Sequence, residues 1–442
     1  MDLRPPAYVL LRYPLEFSGC SRIAKSIVFS DRTSWKLSQN RLTRAIQQAR
    51  ASGVNLLDLT VSNPTRVGLE YDAQAIFSAL RSERALDYDP QPKGLLHARR
   101  AVAEYYRADH DVSNLDPERI VLTASTSEGY SYVFRLLCNA GDELLVPKPS
   151  YPLFEFLADL QDVKLVPYPL IYDHGWQLDF PSLEKAVTPR TQGIVIVHPN
   201  NPTGSYVKAG ELASLNAFCR AHDLALIVDE VFLDYVLDSS HGGTTARGCL
   251  ADRSSTAPEA EGSRPPTHRS FVDNDEVLTF TLSGLSKISA LPQMKVAWVV
   301  TTGPSEQVHA ALDRLEVIAD TYLSMNSPVQ WSVPVLLEQR RSIQRQLMQR
   351  VRKNLAELDH QLARQRSCQR LSVEGGWYAV LRVPVTQPDE ELAIELVRDK
   401  SVLVHPGHFY DFPREGYLVV SLIADECEFA AGVSNVLATL QE

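Results

Sequence analysis

Three polar residues with complementary chemistry follow three strand-like runs in this chain. Lys287 follows one apolar, β-branched run, Asp229 ends another, and Asn201 follows a third. A lysine amine can form a Schiff base with an aldehyde, an aspartate can pair with a protonated ring nitrogen, and an asparagine amide can hydrogen-bond a ring hydroxyl. Together these groups predict a site for pyridoxal phosphate (PLP), with Lys287 and Asp229 as the catalytic residues.

Composition and charge narrow the classes of partner. The chain has 442 residues, enough for two domains, and its formal net charge of −10 argues against nucleic acid or an anionic membrane as the main partner. Six cysteines are scattered without metal-binding spacing, and no apolar run is long enough to span a membrane. These features predict a cytoplasmic protein with reduced thiols, no metal site and small-molecule substrates.

Short apolar runs alternate with helical patterns through the middle of the chain. This alternation predicts an α/β fold with a mostly parallel, seven-stranded sheet flanked by helices. Ligands of such sheets bind beyond the carboxyl ends of the strands, which is where Asn201, Asp229 and Lys287 fall. The seven predicted strands are 119–123, 143–146, 164–167, 193–198, 224–229, 277–282 and 295–300.

The C-terminal part of the chain has a different pattern. One long amphipathic helix is predicted from about 331 to 365, and three strands follow it. We expect a smaller α+β domain made of 29–74 and 319–442, beside a large PLP-binding domain at 75–318. The three C-terminal strands are predicted at 377–383, 402–405 and 417–423.

Two segments lie outside this pattern. Residues 1–28 contain several prolines and Glu16, which do not fit a signal peptide. We expect a loose N-terminal extension or a start codon assigned too early, with a transit peptide as the weaker alternative. Residues 238–275 are rich in Ser, Gly, Thr, Pro and Arg and lack periodicity. That composition predicts a low-complexity surface loop inserted between two core strands.

The order and spacing of the motifs resemble the fold-type I PLP-dependent enzymes, in the class I/II aminotransferase branch of the aspartate aminotransferase superfamily. The resemblance rests on Asn-Asn-Pro-Thr-Gly at 200–204, Asp-Glu-Val-Phe at 229–232 and Ser-Gly-Leu-Ser-Lys at 283–287. Gly-Gly-Trp-Tyr at 375–378 and Val-His-Pro-Gly at 404–407 extend it into the C-terminal part. It therefore covers the chain from about residue 29 onwards.

The resemblance implies a set of cofactor contacts. The aromatic ring of Tyr151 would stack on the cofactor ring, and Tyr88 would reach the phosphate bound by the neighbouring subunit. A strand–turn–helix with small hydroxyl residues at 125–127 suits a phosphate, although taken by itself this pattern is more typical of an ordinary helix N-cap. The full implied set is Tyr88, Ser125, Thr126, Ser127, Tyr151, Asn201, Asp229, Ser286, Lys287 and Lys295.

Three positions depart from the family pattern. Lys295 stands where an arginine usually binds the phosphate, so charge is kept but bidentate geometry is lost. Phe232 replaces a tyrosine that commonly bonds the ring hydroxyl, which should raise the pKa of the lysine–cofactor link. Val419 replaces the arginine that clamps the substrate α-carboxylate, so another group binds that carboxylate or the substrate presents none there.

Arg66 is the candidate to replace the missing clamp. It lies in the segment Val-Ser-Asn-Pro-Thr-Arg at 61–66, where the family has a loop that folds over the substrate. Ser62 of the same segment is a second candidate for substrate binding, and Arg382 and Arg414 are weaker alternatives. A solvated loop arginine is the competing interpretation of Arg66.

The resemblance implies a PLP-dependent aminotransferase that moves an amino group from an amino acid or related amine to a 2-oxo acid. Tyr88 acting across subunits further implies a homodimer with shared active sites. A PLP-dependent lyase or decarboxylase on the same fold stays open because Val419 changes the carboxylate clamp. A PLP-binding regulator is disfavoured because the N-terminal stretch is too short for a DNA-binding domain.

Overall fold

The computed structural model describes residues 29–35, 37–152, 154–237, 269–323 and 325–441. The predicted extension 1–28 and residues 238–268 of the predicted insert lie outside these ranges. Across the described ranges, no helix is both long enough and apolar enough to cross a membrane.

The strands of the described residues form three sheets. In chain order they are β1 Leu57–Asp58, β2 Ile120–Thr123, β3 Glu143–Lys148, β4 Lys164–Tyr172, β5 Trp176–Leu178, β6 Thr191–Val197, β7 Ala225–Asp229, β8 Thr279–Gly284, β9 Ala297–Thr302, β10 Gln369–Arg370, β11 Tyr378–Arg382, β12 Val402–Leu403, β13 His405–Pro406 and β14 Tyr417–Ser421.

The largest sheet has eight strands in the order β2-β9-β8-β7-β6-β3-β4-β5. The strands from β8 through β7, β6 and β3 to β4 run parallel, whereas β9 is antiparallel to both β8 and β2. The seven predicted strands are all present, shifted by a few residues at their ends. The carboxyl ends of β6, β7 and β8 therefore lie side by side, which brings Asn201, Asp229 and Lys287 to one edge of the sheet.

The eighth strand, β5, is an addition to the prediction. It pairs antiparallel with the end of β4. The turn between them is closed by the Asp173 N–H, which donates to the Gly175 carbonyl at 2.9 Å, and His174 has a left-handed φ of 55°. The strand has three residues, too few for a period-two pattern to be visible in the sequence.

Helices cover both faces of the large sheet, and further helices pack on strands of the four-stranded sheet. Several begin at a side-chain cap, as where the Asn40 side chain accepts from the Thr43 N–H at 2.6 Å. The α-helices are Arg41–Ala51, Ala73–Ala79, Leu96–His110, Thr126–Leu137, Phe154–Asp159, Phe180–Ala186, Ala209–Ala221, Leu285–Ile288, Ser305–Tyr322, Ser327–Glu338, Arg340–Leu362, Asp389–Asp399 and Glu426–Thr439.

The prediction of one long helix at 331–365 was wrong, because two helices, Ser327–Glu338 and Arg340–Leu362, meet at Gln339. The Leu337 carbonyl accepts a hydrogen bond from the guanidinium of buried Arg340 at 3.0 Å. The same guanidinium bonds Asp109 on another helix. The Arg340 side chain thus provides a hydrogen-bond donor for a carbonyl at the end of the first helix. The spacing of apolar residues continues through the break, which is why the sequence predicted one helix.

The C-terminal strands form a four-stranded antiparallel sheet in the order β10-β11-β14-β13. The predicted strand 402–405 is divided between two sheets, because β12 pairs in parallel with β1 while β13 pairs with β14. An N-terminal strand thus joins the C-terminal elements, as expected for a domain built from 29–74 and 319–442. The domain boundaries themselves stay a prediction.

The end of the predicted insert 238–275 is not a surface loop. Ser270, Phe271, Val272 and Asn274 are buried. The carboxylate of Glu230 accepts the Ser270 hydroxyl at 2.7 Å and the Phe271 N–H at 2.6 Å. The segment after residue 268 is therefore fixed to the end of β7 by a buried carboxylate, which composition alone does not indicate.

Candidate active site

Lys287 lies in the one-turn helix Leu285–Ile288, directly after β8. Gly284 allows this close turn, since a Cβ at that position would lie 2.8 Å from the Cβ of Ala297. The Lys287 carbonyl accepts the hydroxyl of buried Tyr235 at 2.6 Å, which fixes the backbone of the turn. The amine is therefore presented from a rigid strand end.

The amine of Lys287 lies among aromatic rings and one carbonyl. Its Nζ is 4.7 Å from the ring centroid of Trp377 and 5.2 Å from that of Phe232, and it donates to the Ser62 carbonyl at 3.4 Å. Burial lowers the pKa of Lys287 to about 8, against the opposing effect of the Asp229 carboxylate. A neutral amine, the form that attacks an aldehyde, is thus accessible near neutral pH.

Asp229 ends β7 with its carboxylate held by two donors. The Val231 N–H donates to Oδ1 at 3.0 Å, and the hydroxyl of buried Tyr130 donates to Oδ2 at 3.0 Å. Burial raises the pKa of Asp229 to about 6, although both hydrogen bonds and the charge of Lys287 lower it. A protonated ring nitrogen beside this buried carboxyl group would stabilise its ionised form.

Asn201 provides a test of whether this site fits the cofactor. Its side-chain oxygen is buried and has no hydrogen-bond partner among the described residues. A buried amide without a partner costs about 1–3 kcal/mol. A hydroxyl of a bound ring would supply the missing partner, so the amide of Asn201, the carboxylate of Asp229 and the amine of Lys287 fit PLP.

The predicted phosphate-binding turn starts the helix Thr126–Leu137. Ser125 caps it by accepting the Glu128 N–H at 3.2 Å, so the ordinary N-cap role is present. Thr126 and Ser127 lie half-buried in the first turn. A Cβ on Gly129 would lie 3.0 Å from Leu282 of β8, so the start of this helix packs on the strand that leads to Lys287.

The other two predicted phosphate contacts differ in exposure. Ser286 is half-buried in the Lys287 turn, whereas Lys295 is exposed and has a left-handed φ of 54° just before β9. The structure thus brings Ser286 next to Lys287 but leaves the Lys295 side chain at the surface of the single chain. Their roles stay predictions.

Two tyrosines flank Asp229, and only one was predicted. Burial and the Asp229 carboxylate raise the pKa of Tyr151 to about 12, as expected for a ring close to this carboxylate. Tyr130, in contrast, is absent from the predicted set of cofactor contacts. A tyrosine rather than a phenylalanine at a fully buried position is the signal that could have identified it, since a buried hydroxyl needs a partner.

The segment that carries Ser62 and Arg66 covers Lys287. The Ser62 carbonyl accepts the Lys287 amine, and the Val61 carbonyl accepts the hydroxyl of Ser421 at 2.6 Å. Arg66 is exposed at the end of a short 3₁₀ turn, Pro64–Arg66. The loop therefore lies over the amine of Lys287.

The position of the missing clamp is filled by a small apolar side chain. Val419 is fully buried in β14, between β11 and β13. Arg382 and Arg414, the weaker alternatives, are both exposed, and Arg414 donates to the hydroxyl of Tyr417 at 3.2 Å. Tyr88, predicted to act on a neighbouring subunit, is 77% exposed in the single chain.

The sequence is similar to those of known aminotransferases. Residues 54–428 match the family model of aminotransferases of class I and II. The glutamate-pyruvate aminotransferase AlaA of Escherichia coli is 29% identical over 285 residues, which are 64% of this chain and 64% of that protein. Alanine aminotransferase of Mycobacterium tuberculosis is 26% identical over 397 residues, 87% of this chain and 86% of that protein.

Solved structures share the fold. An aminotransferase from Escherichia coli superposes with a TM-score of 0.76 at 22% identity, covering 95% of this chain and 99% of that one. Alanine aminotransferase from Pyrococcus furiosus superposes with a TM-score of 0.78 at 19% identity, covering 90% and 96%. The predicted fold-type I architecture is confirmed, and members of the matched family depend on PLP. This chain belongs to the class I and II aminotransferase family.

Proposed function

We propose that this protein is a PLP-dependent aminotransferase acting on an amino acid and a 2-oxo acid. The observation that carries the proposal is that Lys287, Asp229 and Asn201, whose buried side-chain oxygen has no partner among the described residues, follow or end three neighbouring strands of one sheet. Names of relatives such as glutamate-pyruvate and alanine aminotransferase support the transferase reaction. None of the relatives named above is a lyase, so the lyase alternative gains no support.

When bound, PLP supplies the aldehyde that an amine condenses with and a ring that stabilises negative charge at the adjacent carbon. Lys287 would anchor PLP, and its free amine would act as the base that takes a proton from the donor carbon. Asp229 pairs with the ring nitrogen and keeps it protonated, while Tyr130 and the Val231 N–H keep the carboxylate oriented and ionised. Asn201 holds the ring hydroxyl.

Other parts of the chain complete the proposed site. Ser125, Thr126, Ser127 and Ser286 hold the phosphate with backbone and hydroxyl donors, Lys295 adds charge, and Tyr151 stacks on the ring. This set is supported by the packing of the Thr126–Leu137 helix on β8. Ser62 and Arg66 bind the substrate from the covering loop, with Arg66 taking the carboxylate that Val419 cannot.

We further propose a cytoplasmic homodimer with shared sites. Phe77, Leu86 and Tyr88 are 60%, 88% and 77% exposed in the single chain, and burial against a second copy would remove this apolar surface from water. In such a dimer Tyr88 reaches the phosphate bound by the partner.

A half-reaction without oxo acid tests the function. The purified, PLP-loaded protein is incubated with a panel of α-amino acids, ω-amino acids and simple amines, and pyridoxamine phosphate is quantified by chromatography. We expect about one pyridoxamine phosphate per subunit with at least one α-amino acid, because the amino group stays on the enzyme until an oxo acid arrives. Loss of the donor carboxylate as carbon dioxide, or elimination from the donor, without pyridoxamine phosphate would instead indicate the lyase.

A further inference from the structure

One face of the C-terminal sheet is defined by cross-strand pairs. In an antiparallel pair, residues directly opposite each other point to the same side of the sheet. Val419 of β14 is opposite Val380 of β11 and opposite His405 of β13. Two residues along, Ser421 is opposite Tyr378. These five side chains therefore share one face, with His405 next to the position of the absent arginine.

This face is directed at the loop that covers Lys287. Ser421 donates its hydroxyl to the Val61 carbonyl at 2.6 Å. The next residue, Ser62, accepts the Lys287 amine through its carbonyl. A substrate that reaches the Lys287 amine beneath this loop therefore has this face of the sheet on one side.

A second set of contacts connects His405 with the cofactor side. Its Nδ1 lies 3.0 Å from the hydroxyl of Tyr410. Burial and the phenols of Tyr378 and Tyr151 raise the pKa of Tyr410 above its usual range. Tyr151 is in turn close to Asp229, whose charge contributes to the raised pKa of Tyr151. The His405–Tyr410 pair thus borders the site on the Tyr151 side.

The pair is uncharged but can both donate and accept. Burial lowers the pKa of His405 to about 4 despite the opposing charge of Asp58, so its imidazole is neutral at pH 7. If the Tyr410 hydroxyl donates to Nδ1, then Nε2 carries the hydrogen and is a donor. If Nδ1 donates instead, the phenol is free to donate and Nε2 accepts. His405 also keeps accessible surface, whereas Val419 and Val380 are buried.

No cation lies beside His405 on this face among the described residues. The nearest arginine along the strands is Arg382, which is opposite Tyr417, two pairs beyond Val419, and is exposed to solvent. A carboxylate placed against His405 would lose its hydration without gaining a charged partner. A carboxamide or hydroxyl would instead find both a donor and an acceptor.

We propose that His405 is a specificity-determining residue and that the amino donor presents an uncharged polar side chain to it. The substrate class is then an α-amino acid with a carboxamide or hydroxyl side chain, selected against its acidic counterpart. The inference rests on the proposed function, in which the loop with Arg66 takes the α-carboxylate and leaves the donor side chain to face the sheet.

Isosteric donors test the proposal on the PLP-loaded enzyme. Glutamine is compared with glutamate and asparagine with aspartate, since each pair differs in charge and barely in size. Saturation of the half-reaction gives a dissociation constant and a rate for each donor. We expect each amide to be favoured at least about tenfold over its acid in the ratio of rate to dissociation constant. Equal or reversed preference, with pyridoxamine phosphate still formed, would overturn the inference and leave the proposed function intact. No pyridoxamine phosphate with any donor would mean that the proposed function has failed.

Two substitutions assign the preference to His405. His405→Arg places a guanidinium on the face and should shift the preference towards the acids by about tenfold or more. If that variant does not fold, His405→Gln and His405→Leu replace it: glutamine keeps the hydrogen bonds and the preference, and leucine abolishes the preference. His309→Arg, an exposed position on the helix Ser305–Tyr322, is the matched control and should leave all donor ratios unchanged. Donor ratios unaltered in every His405 variant would contradict the assignment.

Discussion

Removing the hydroxyl of Tyr130 should raise the pKa of Asp229, the carboxylate that we propose pairs with the cofactor ring. In Tyr130→Phe, Asp229 loses the donor at 3.0 Å from its Oδ2 and keeps only the Val231 N–H. Hydrogen bonds to charged groups contribute about 1.5–3 kcal/mol, and one pKa unit corresponds to about 1.36 kcal/mol. The pKa of Asp229, about 6 in the unliganded chain, should therefore rise by about 1–2 units.

The direction of the pH effect follows from the charge that Asp229 must carry. A protonated carboxyl cannot pair with a protonated ring nitrogen, so PLP affinity is lost as pH falls through the pKa of Asp229. We expect the midpoint of this loss to move upward by about 1–2 pH units in Tyr130→Phe.

The assay is the dissociation constant of PLP from the apoprotein, measured by fluorescence or absorbance titration between pH 5 and pH 9. Tyr132→Phe is the control, because Tyr132 lies on the same helix, is also buried and does not contact Asp229. An unchanged midpoint, with affinity reduced equally at every pH, would refute the reasoning and leave Tyr130 as a packing residue only.

Three further perturbations have defined outcomes. Burial raises the pKa of Glu230 from its ordinary value of 4.5 to about 8. Between these two pH values, Glu230 is protonated in the folded chain and ionised in the unfolded chain. The free energy of unfolding should therefore fall by at most about 5 kcal/mol as pH rises through that window. In thermal unfolding between pH 5 and pH 8, the stability of Glu230→Gln should decline less than that of the unmodified protein. Arg66→Ala should raise the dissociation constant of the amino donor about tenfold or more and leave that of PLP unchanged; an unaltered donor constant in half-reaction titrations would remove Arg66 from the site. Tyr88→Phe should weaken PLP binding several-fold without changing the mass seen by sedimentation, and a fully active monomer would contradict the shared-site dimer.

The catalytic edge of the sheet could be predicted because the relevant signals are local. Each of Asn201, Asp229 and Lys287 follows an apolar run, and parallel strands place their carboxyl ends at the same edge. The order of strands in the sheet was not needed for that inference. The helix cap at Ser125 was equally local, because a small hydroxyl residue before an amphipathic run is a common helix start.

The features that were missed depend on contacts between distant segments. The hydroxyl of Tyr130 bonds Asp229, which is 99 residues away in the sequence. The helical spacing of apolar residues predicts only that this tyrosine is buried in the core. The break at Gln339 arises where Arg340 contacts another helix, while the spacing of apolar residues continues. His405 lies opposite Val419 because of the register in which β13 and β14 pair. The sequence of either strand alone does not determine that register.

Trapping the cofactor on the protein tests the central claim most directly. The PLP-loaded enzyme is reduced with borohydride, digested, and its peptides are mapped by mass spectrometry, with Lys287→Ala treated in parallel. We expect one phosphopyridoxyl group per chain on the peptide that contains Lys287, and none on the variant. A label on another lysine, such as the exposed Lys295, or an equal label on Lys287→Ala, would contradict it.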